Sequence, residues 1–254
     1  MALIGSRRIG ADDVPDLLVV SFSSNDLIGH TSGPDSHEVL DVTLRSDALI
    51  ADFLSFLDAK IGRDQYLFGV TADHGICPLP EVSRANGTAH GARRVDTALM
   101  KRHIDAALSK AFPALRPKSK PWAGLRPFTW VSLNAEPPDA QWVDSIPPPW
   151  VNLNAKLIAD SGRPRAEIAD LAARALREAK GLNVMRTFTQ AELGGTFPES
   201  DVVANRMKRS FFAPRCGDVA VILEPYSLPV PALSKGTTHG SPFNYDAHAP
   251  LVVY

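Results

Sequence analysis

Two short segments pair a carboxylate with an imidazole, each directly after an apolar run. Asp26-Leu27-Ile28-Gly29-His30 follows Leu17-Leu18-Val19-Val20-Ser21-Phe22, and Asp73-His74-Gly75 follows Tyr66-Leu67-Phe68-Gly69-Val70-Thr71. A third imidazole, His239, lies in Gly236-Thr237-Thr238-His239-Gly240. A divalent ion needs oxygen and nitrogen donors held in fixed directions. Asp26 and His30 are four residues apart and share a face if the backbone turns helically, with Gly29 leaving room beside the imidazole. Asp73 and His74 diverge in an extended strand, so they serve one site only if the chain bends there, which Gly75 permits. The mixture of carboxylate and imidazole favours zinc over manganese or iron, and disfavours calcium.

Each candidate also has a plain structural alternative. Asp26 could cap a strand end, His30 could start a helix at the surface, and Asp73 with His74 could form an Asx-type turn. Loops containing Gly, Thr and His, like that of His239, occur without metals. His37, His90, His103 and His248 end no strand in the required way, although His248 is near enough to His239 to stand behind it. Thr71 and Thr237 read as strand and loop residues rather than nucleophiles, and the four tryptophans read as packing.

The elements that must position these residues follow from the apolar pattern. Residues 17–22, behind Pro15, predict a strand buried on both faces. Residues 36–57 carry apolar positions at helical spacing, Gly62 ends them, and 66–71 predict the next strand, so 17–71 read as one βαβ unit. In a parallel sheet the C-terminal ends of such strands share one edge, where ligands bind. Further along, 95–108 and 166–179 predict helices, and the proline-rich stretch 113–150 contains short strand candidates at 128–134 and 151–154. A strand over 182–188, a capped turn over 188–193, a helix over 201–210, a buried strand over 218–223 and a strand-like run over 251–254 complete the pattern. The expected architecture is α/β, a mostly parallel sheet flanked by helices. Residues 1–110 form the first part of a core, 111–195 an inserted proline-rich lobe or lid, and 196–254 a return to the core with the late histidine loop.

Composition bounds the function. With 44% hydrophobic and 22% charged residues over 254 positions, the chain can bury a full core, which excludes disordered and fibrous classes. With 27 basic against 28 acidic residues, overall charge supplies no attraction to nucleic acid or to an anionic membrane. An anionic substrate would have to be held by metal ions or by a local arginine or lysine. Cys77 and Cys216 could pair or remain thiols, which leaves the redox compartment open. No segment approaches the roughly 20 apolar residues of a membrane span, and the first residues lack the pattern of a signal peptide. The run 251–254 stops without cap or turn, the pattern expected of a chain cut within a sheet element.

The stretch 16–30, Gly33-Pro34-Asp35-Ser36, Thr71-Ala72-Asp73-His74-Gly75 and Gly236-Thr237-Thr238-His239-Gly240-Ser241-Pro242 together resemble the alkaline phosphatase superfamily. Within it, the monomeric phosphate-irrepressible alkaline phosphatases and the nucleotide pyrophosphatase/phosphodiesterases are the nearest branches. The resemblance extends through 206–221 and 234–254. It implies a two-zinc hydrolase of phosphoric esters. One Zn2+ is held by Asp26, His30 and His239, and the second takes Asp73 and His74. It further implies in-line displacement through a covalent phospho-enzyme, with a phosphate ester as substrate. An exported, periplasmic or extracellular location is expected for the full-length parent.

The family pattern also includes an upstream aspartate on the second zinc, a threonine or serine nucleophile at a helix start, and upstream phosphate contacts. This sequence has no matching positions, so it resembles the C-terminal part of the enzyme, with the N-terminal part of the fold missing or supplied by a separate chain. Negligible turnover is expected of the isolated chain. A phosphodiesterase is the nearest alternative, sulfatase chemistry stands behind it, and a non-catalytic metal-binding remnant is the reading from a different class.

Overall fold

The computed structural model describes residues 1–116, 139–231 and 234–254. Its helices are α1 (Ala2–Arg7), α2 (Ser23–Ser32), α3 (His37–Lys60), α4 (Pro80–Ala85), α5 (Thr97–Ala111), α6 (Ala155–Ser161), α7 (Arg165–Glu178), α8 (Gln190–Leu193), α9 (Val202–Arg209) and α10 (Asn244–Ala247). Its strands are β1 (Gly69–Thr71), β2 (Arg94–Asp96), β3 (Val143–Ser145), β4 (Trp150–Leu153), β5 (Val184–Thr189), β6 (Val219–Leu223), β7 (Leu228–Val230) and β8 (Leu251–Val253).

The main sheet has the order β3-β4-β6-β5, and every pairing in it is antiparallel. The expectation of a mostly parallel sheet is therefore corrected: the described residues contain one parallel pair, β2 with β7, and β1 pairs antiparallel with β8. The α/β class itself stands. The parallel expectation rested on the βαβ unit over 17–71, and β6, whose five residues are all buried, carries the same continuous apolar pattern. Such a run suggests a parallel sheet because helices cover both faces of those sheets. Here an antiparallel strand meets the same condition. Val219, Val221 and Leu223 point toward α5 and α7 in one core, while Ala220 and Ile222 point toward α8 and α9 in the other.

Polar groups at the sheet's margins are matched to the backbone around them. Asp218, 3% exposed, accepts the Leu153 amide at 2.8 Å and pairs with Arg165, tying the start of β6 to β4 and α7. At the end of β5, Thr189 opens α8 with a capping box: its hydroxyl accepts from the Glu192 amide and the Glu192 carboxylate accepts from its own amide. The strand candidate at 128–134 lies outside the described residues.

The N-terminal expectation is corrected more sharply. Residues 15–22 form no strand, and Leu17 and Val19 are 89% and 81% exposed. The βαβ unit over 17–71 is consequently absent: its helix is present as α3, and its second strand is the short β1, whose partner is β8. Apolar periodicity records that a segment can be buried but not which element covers it, and the sheets among the described residues offer these residues no partner. Ile222→Ala should therefore destabilise the chain by about 2–5 kcal/mol, whereas Leu17→Ala should change it by less than about 0.5 kcal/mol. Urea unfolding of the two variants, compared with the unaltered chain, measures both.

Candidate metal centre

Helix α2 places Asp26 in its first turn and His30 one turn later, so both side chains leave the same face. The Asp26 Oδ1 atom lies 3.4 Å from His30 Nε2 and 3.6 Å from Nε2 of His74. His74 comes from the irregular chain after β1, and His239 from the loop before α10. The ring centroids of His30 lie 6.0 Å from those of His74 and 5.4 Å from those of His239, while His74 and His239 stack at 3.4 Å. One ligand atom from each of the three imidazoles falls within 4.8 Å of the others.

Backbone hydrogen bonds build this convergence. The Thr237 amide donates to the His30 carbonyl at 2.7 Å, and His30 Nδ1 donates to the Thr237 carbonyl at 2.9 Å. Gly236, at φ +74°, lets the loop arrive this closely, because a Cβ there would strike the His30 carbonyl. The hydroxyl of Thr237 donates to the Cys77 carbonyl, and the Cys77 amide donates to Thr238 at 3.2 Å. The Gly75 amide donates to the Asp246 carbonyl at 2.8 Å, and a Cβ on Gly75 would collide with the Tyr245 backbone. The glycine expected to permit a bend permits instead a close crossing of two chain segments.

These bonds decide which ring nitrogens are free. A carbonyl only accepts, so His30 Nδ1 carries its proton toward Thr237, and His74 Nδ1 carries its proton toward the Gly75 carbonyl at 2.7 Å. Both Nε2 atoms are turned toward Asp26. Fixing one ring nitrogen by a backbone carbonyl so that the other presents its lone pair is the usual support of a metal-binding histidine. Partial burial, with His74 and His30 as neighbouring imidazoles, lowers the pKa of His239 from its ordinary value. It therefore stays neutral to lower pH, the form that a metal ligand requires.

The donor spacing fits a tetrahedrally held metal ion of zinc's bond length. Bonds of about 2.0–2.1 Å in a tetrahedron separate neighbouring donors by about 3.3–3.4 Å, close to the 3.4 and 3.6 Å between Asp26 Oδ1 and the two Nε2 atoms. The grouping differs from the partition into two ions. His74 shares one cluster with His30 and His239, and a single three-residue group is present among the described residues. The Asp73 carboxylate is 90% exposed at its edge, 3.8 Å from His74 Nε2.

Two other expectations are adjusted. His248 is exposed at the end of α10, whereas the buried residue beside the cluster is Asp246, which no spacing rule singled out. Its one sequence signal was a position shortly after the late histidine loop. Cys77 and Cys216 are separate thiols, and burial pushes the Cys77 thiol up to about 12.

Comparison with known proteins places this geometry. The family model described as type I phosphodiesterase / nucleotide pyrophosphatase matches residues 5–225. The alkaline phosphatase PafA of Elizabethkingia meningoseptica is 29% identical over 252 residues, 99% of this chain and 40% of the relative. The alkaline phosphatase PhoK of Sphingomonas sp is 28% identical over 262 residues, covering 100% of this chain and 41% of the relative. The crystal structure of wild-type PafA superposes with a TM-score of 0.78 at 28% identity, covering 99% of this chain and 42% of that one. The chain thus spans about two fifths of the length of these relatives.

Gly75→Ala should separate the His74 and His239 loops and weaken zinc binding by more than about 100-fold, beyond the usual effect of an outer support residue. Competition against a chromophoric chelator measures the loss, with far-UV circular dichroism expected to stay near that of the unaltered chain.

Proposed function

The chain belongs to the type I phosphodiesterase / nucleotide pyrophosphatase family, and from that premise we propose that it carries zinc-binding residues of a phosphoric ester hydrolase of the alkaline phosphatase type. The observation that carries this reading is the shared orientation of two imidazoles. His30 and His74 each spend Nδ1 on a backbone carbonyl and turn Nε2 toward one carboxylate oxygen of Asp26. A buried salt-bridge network would not need His239 stacked neutral beside them.

In this proposal Asp26, His30 and His239 hold one Zn2+, and Asp73 and His74 contribute to a second. His74 stands between the two sets, in ring contact with His239 and with its Nε2 near both Asp26 and Asp73. Bound zinc would supply charge neutralisation of the phosphoryl oxygens and a lowered pKa for an attacking hydroxyl. The residues of this chain orient the ion: Asp26 supplies negative charge, the two carbonyl-tied imidazoles set direction, and the Gly236 and Gly75 crossings hold the loops at bonding distance. The nucleophile and the remaining donors would come from the part of the family fold beyond these 254 residues.

The matching family supports a diester or pyrophosphate substrate, while the relatives named above are alkaline phosphatases. The monoesterase reading is preferred here because those relatives align along nearly the whole chain. A polypeptide of the relatives' length carrying these residues should hydrolyse an aryl phosphate monoester faster than an aryl phosphate diester, and His30→Ala should abolish both activities and remove the zinc assigned to Asp26, His30 and His239. The isolated chain should bind zinc but turn over neither substrate. Faster diester hydrolysis would select the phosphodiesterase reading, and zinc binding without any hydrolysis would select the non-catalytic one.

A further inference from the structure

Asp246 joins the two loops that bring His74 and His239 together. Its backbone carbonyl accepts the Gly75 amide at 2.8 Å, one residue beyond His74. Its Oδ2 atom accepts the Ser241 amide at 2.8 Å, two residues beyond His239. The side chain is held in place by α10, where the amide of Asp246 donates to the Phe243 carbonyl at 3.1 Å. Asp246 is only 5% exposed, and its second oxygen, Oδ1, is buried without a hydrogen-bond partner among the described residues.

A buried carboxylate with an unpartnered oxygen is costly, since desolvation is recovered only where its lone pairs are used. That cost is borne where an acceptor ties the two histidine loops together, with Oδ2 on the Ser241 amide and the backbone carbonyl on the Gly75 amide. Supports of this kind orient the rings of metal-binding histidines.

We propose that Asp246 is the positioning residue of the three-histidine site, setting the His74–His239 contact through one backbone and one side-chain hydrogen bond. It acts through the two histidine loops and touches neither substrate nor ion. Its link to metal affinity rests on the zinc reading above; its link to loop geometry does not.

The test compares Asp246→Ala and Asp246→Asn with the unaltered chain. Zinc affinity is read by chelator competition, and loop geometry by amide exchange at Ser241 together with the ring-current shifts of the His74 and His239 imidazole protons. Asp246→Ala should weaken zinc binding by about 10–100-fold, speed exchange at Ser241 and remove the stacking shifts. Asp246→Asn should restore slow exchange and the shifts, because its side-chain carbonyl accepts the same bond, and should recover most of the affinity. If alanine fails to fold, Asp246→Leu fills a similar volume without an acceptor and takes its place. Wild-type zinc affinity and intact stacking in the variant lacking an acceptor would overturn the proposal, as would an Asn variant no better than it. If the unaltered chain takes up no zinc, the zinc reading fails, and the exchange and ring-current data alone decide the role of Asp246.

Discussion

The structure around the site depends on a reciprocal pair of hydrogen bonds between residues 207 positions apart. The Thr237 amide binds the His30 carbonyl, and His30 Nδ1 binds the Thr237 carbonyl. Closing so long a loop has an entropic cost that grows only slowly with length, and many smaller contacts offset it. The same loop continues into the bonds between Thr237 or Thr238 and Cys77. The late loop therefore bonds to α2 on one side and to the chain over 73–77 on the other, and those two also meet directly where Asp26 approaches His74.

From these contacts comes the chemistry. Carbonyl groups cannot donate, so a histidine whose Nδ1 faces one has a defined Nδ1 proton and a defined ring direction. Two such rings share one carboxylate oxygen at separations close to the donor spacing of a tetrahedral ion, while a third ring, kept neutral by partial burial and by its neighbours, stacks against one of them. Electrostatic repulsion among protonated imidazoles would oppose this arrangement, so proton loss and metal uptake are coupled.

The convergence of Asp26, His30, His74 and His239 was legible in the sequence because their chemical types are rare and their spacing is local. Asp26 and His30 do lie one helical turn apart, whereas Gly75 lies four residues beyond the end of β1, at the crossing with Tyr245. The scaffold was less legible. Residues 17–22 have the composition of a doubly covered strand yet stand exposed, because apolar pattern carries no information about the covering element. Strand β6 was found correctly as buried, but burial on both faces does not distinguish parallel from antiparallel neighbours when helices pack on each side. Asp246 was invisible for a related reason. Its importance lies in two hydrogen bonds to segments distant in sequence or conformation, and no local pattern announces them.

The central claim is that His30 and His74 offer Nε2 to a metal while Nδ1 remains protonated against a carbonyl. Nitrogen-15 chemical shifts of the histidine rings, recorded in the chain before and after addition of zinc, test it directly. The account predicts rings protonated at Nδ1 for both residues beforehand, and afterwards a shift of their Nε2 resonances to metal-bound values with Nδ1 still protonated. Rings protonated at Nε2 alone, coordination through Nδ1, or spectra that zinc leaves unchanged would contradict it.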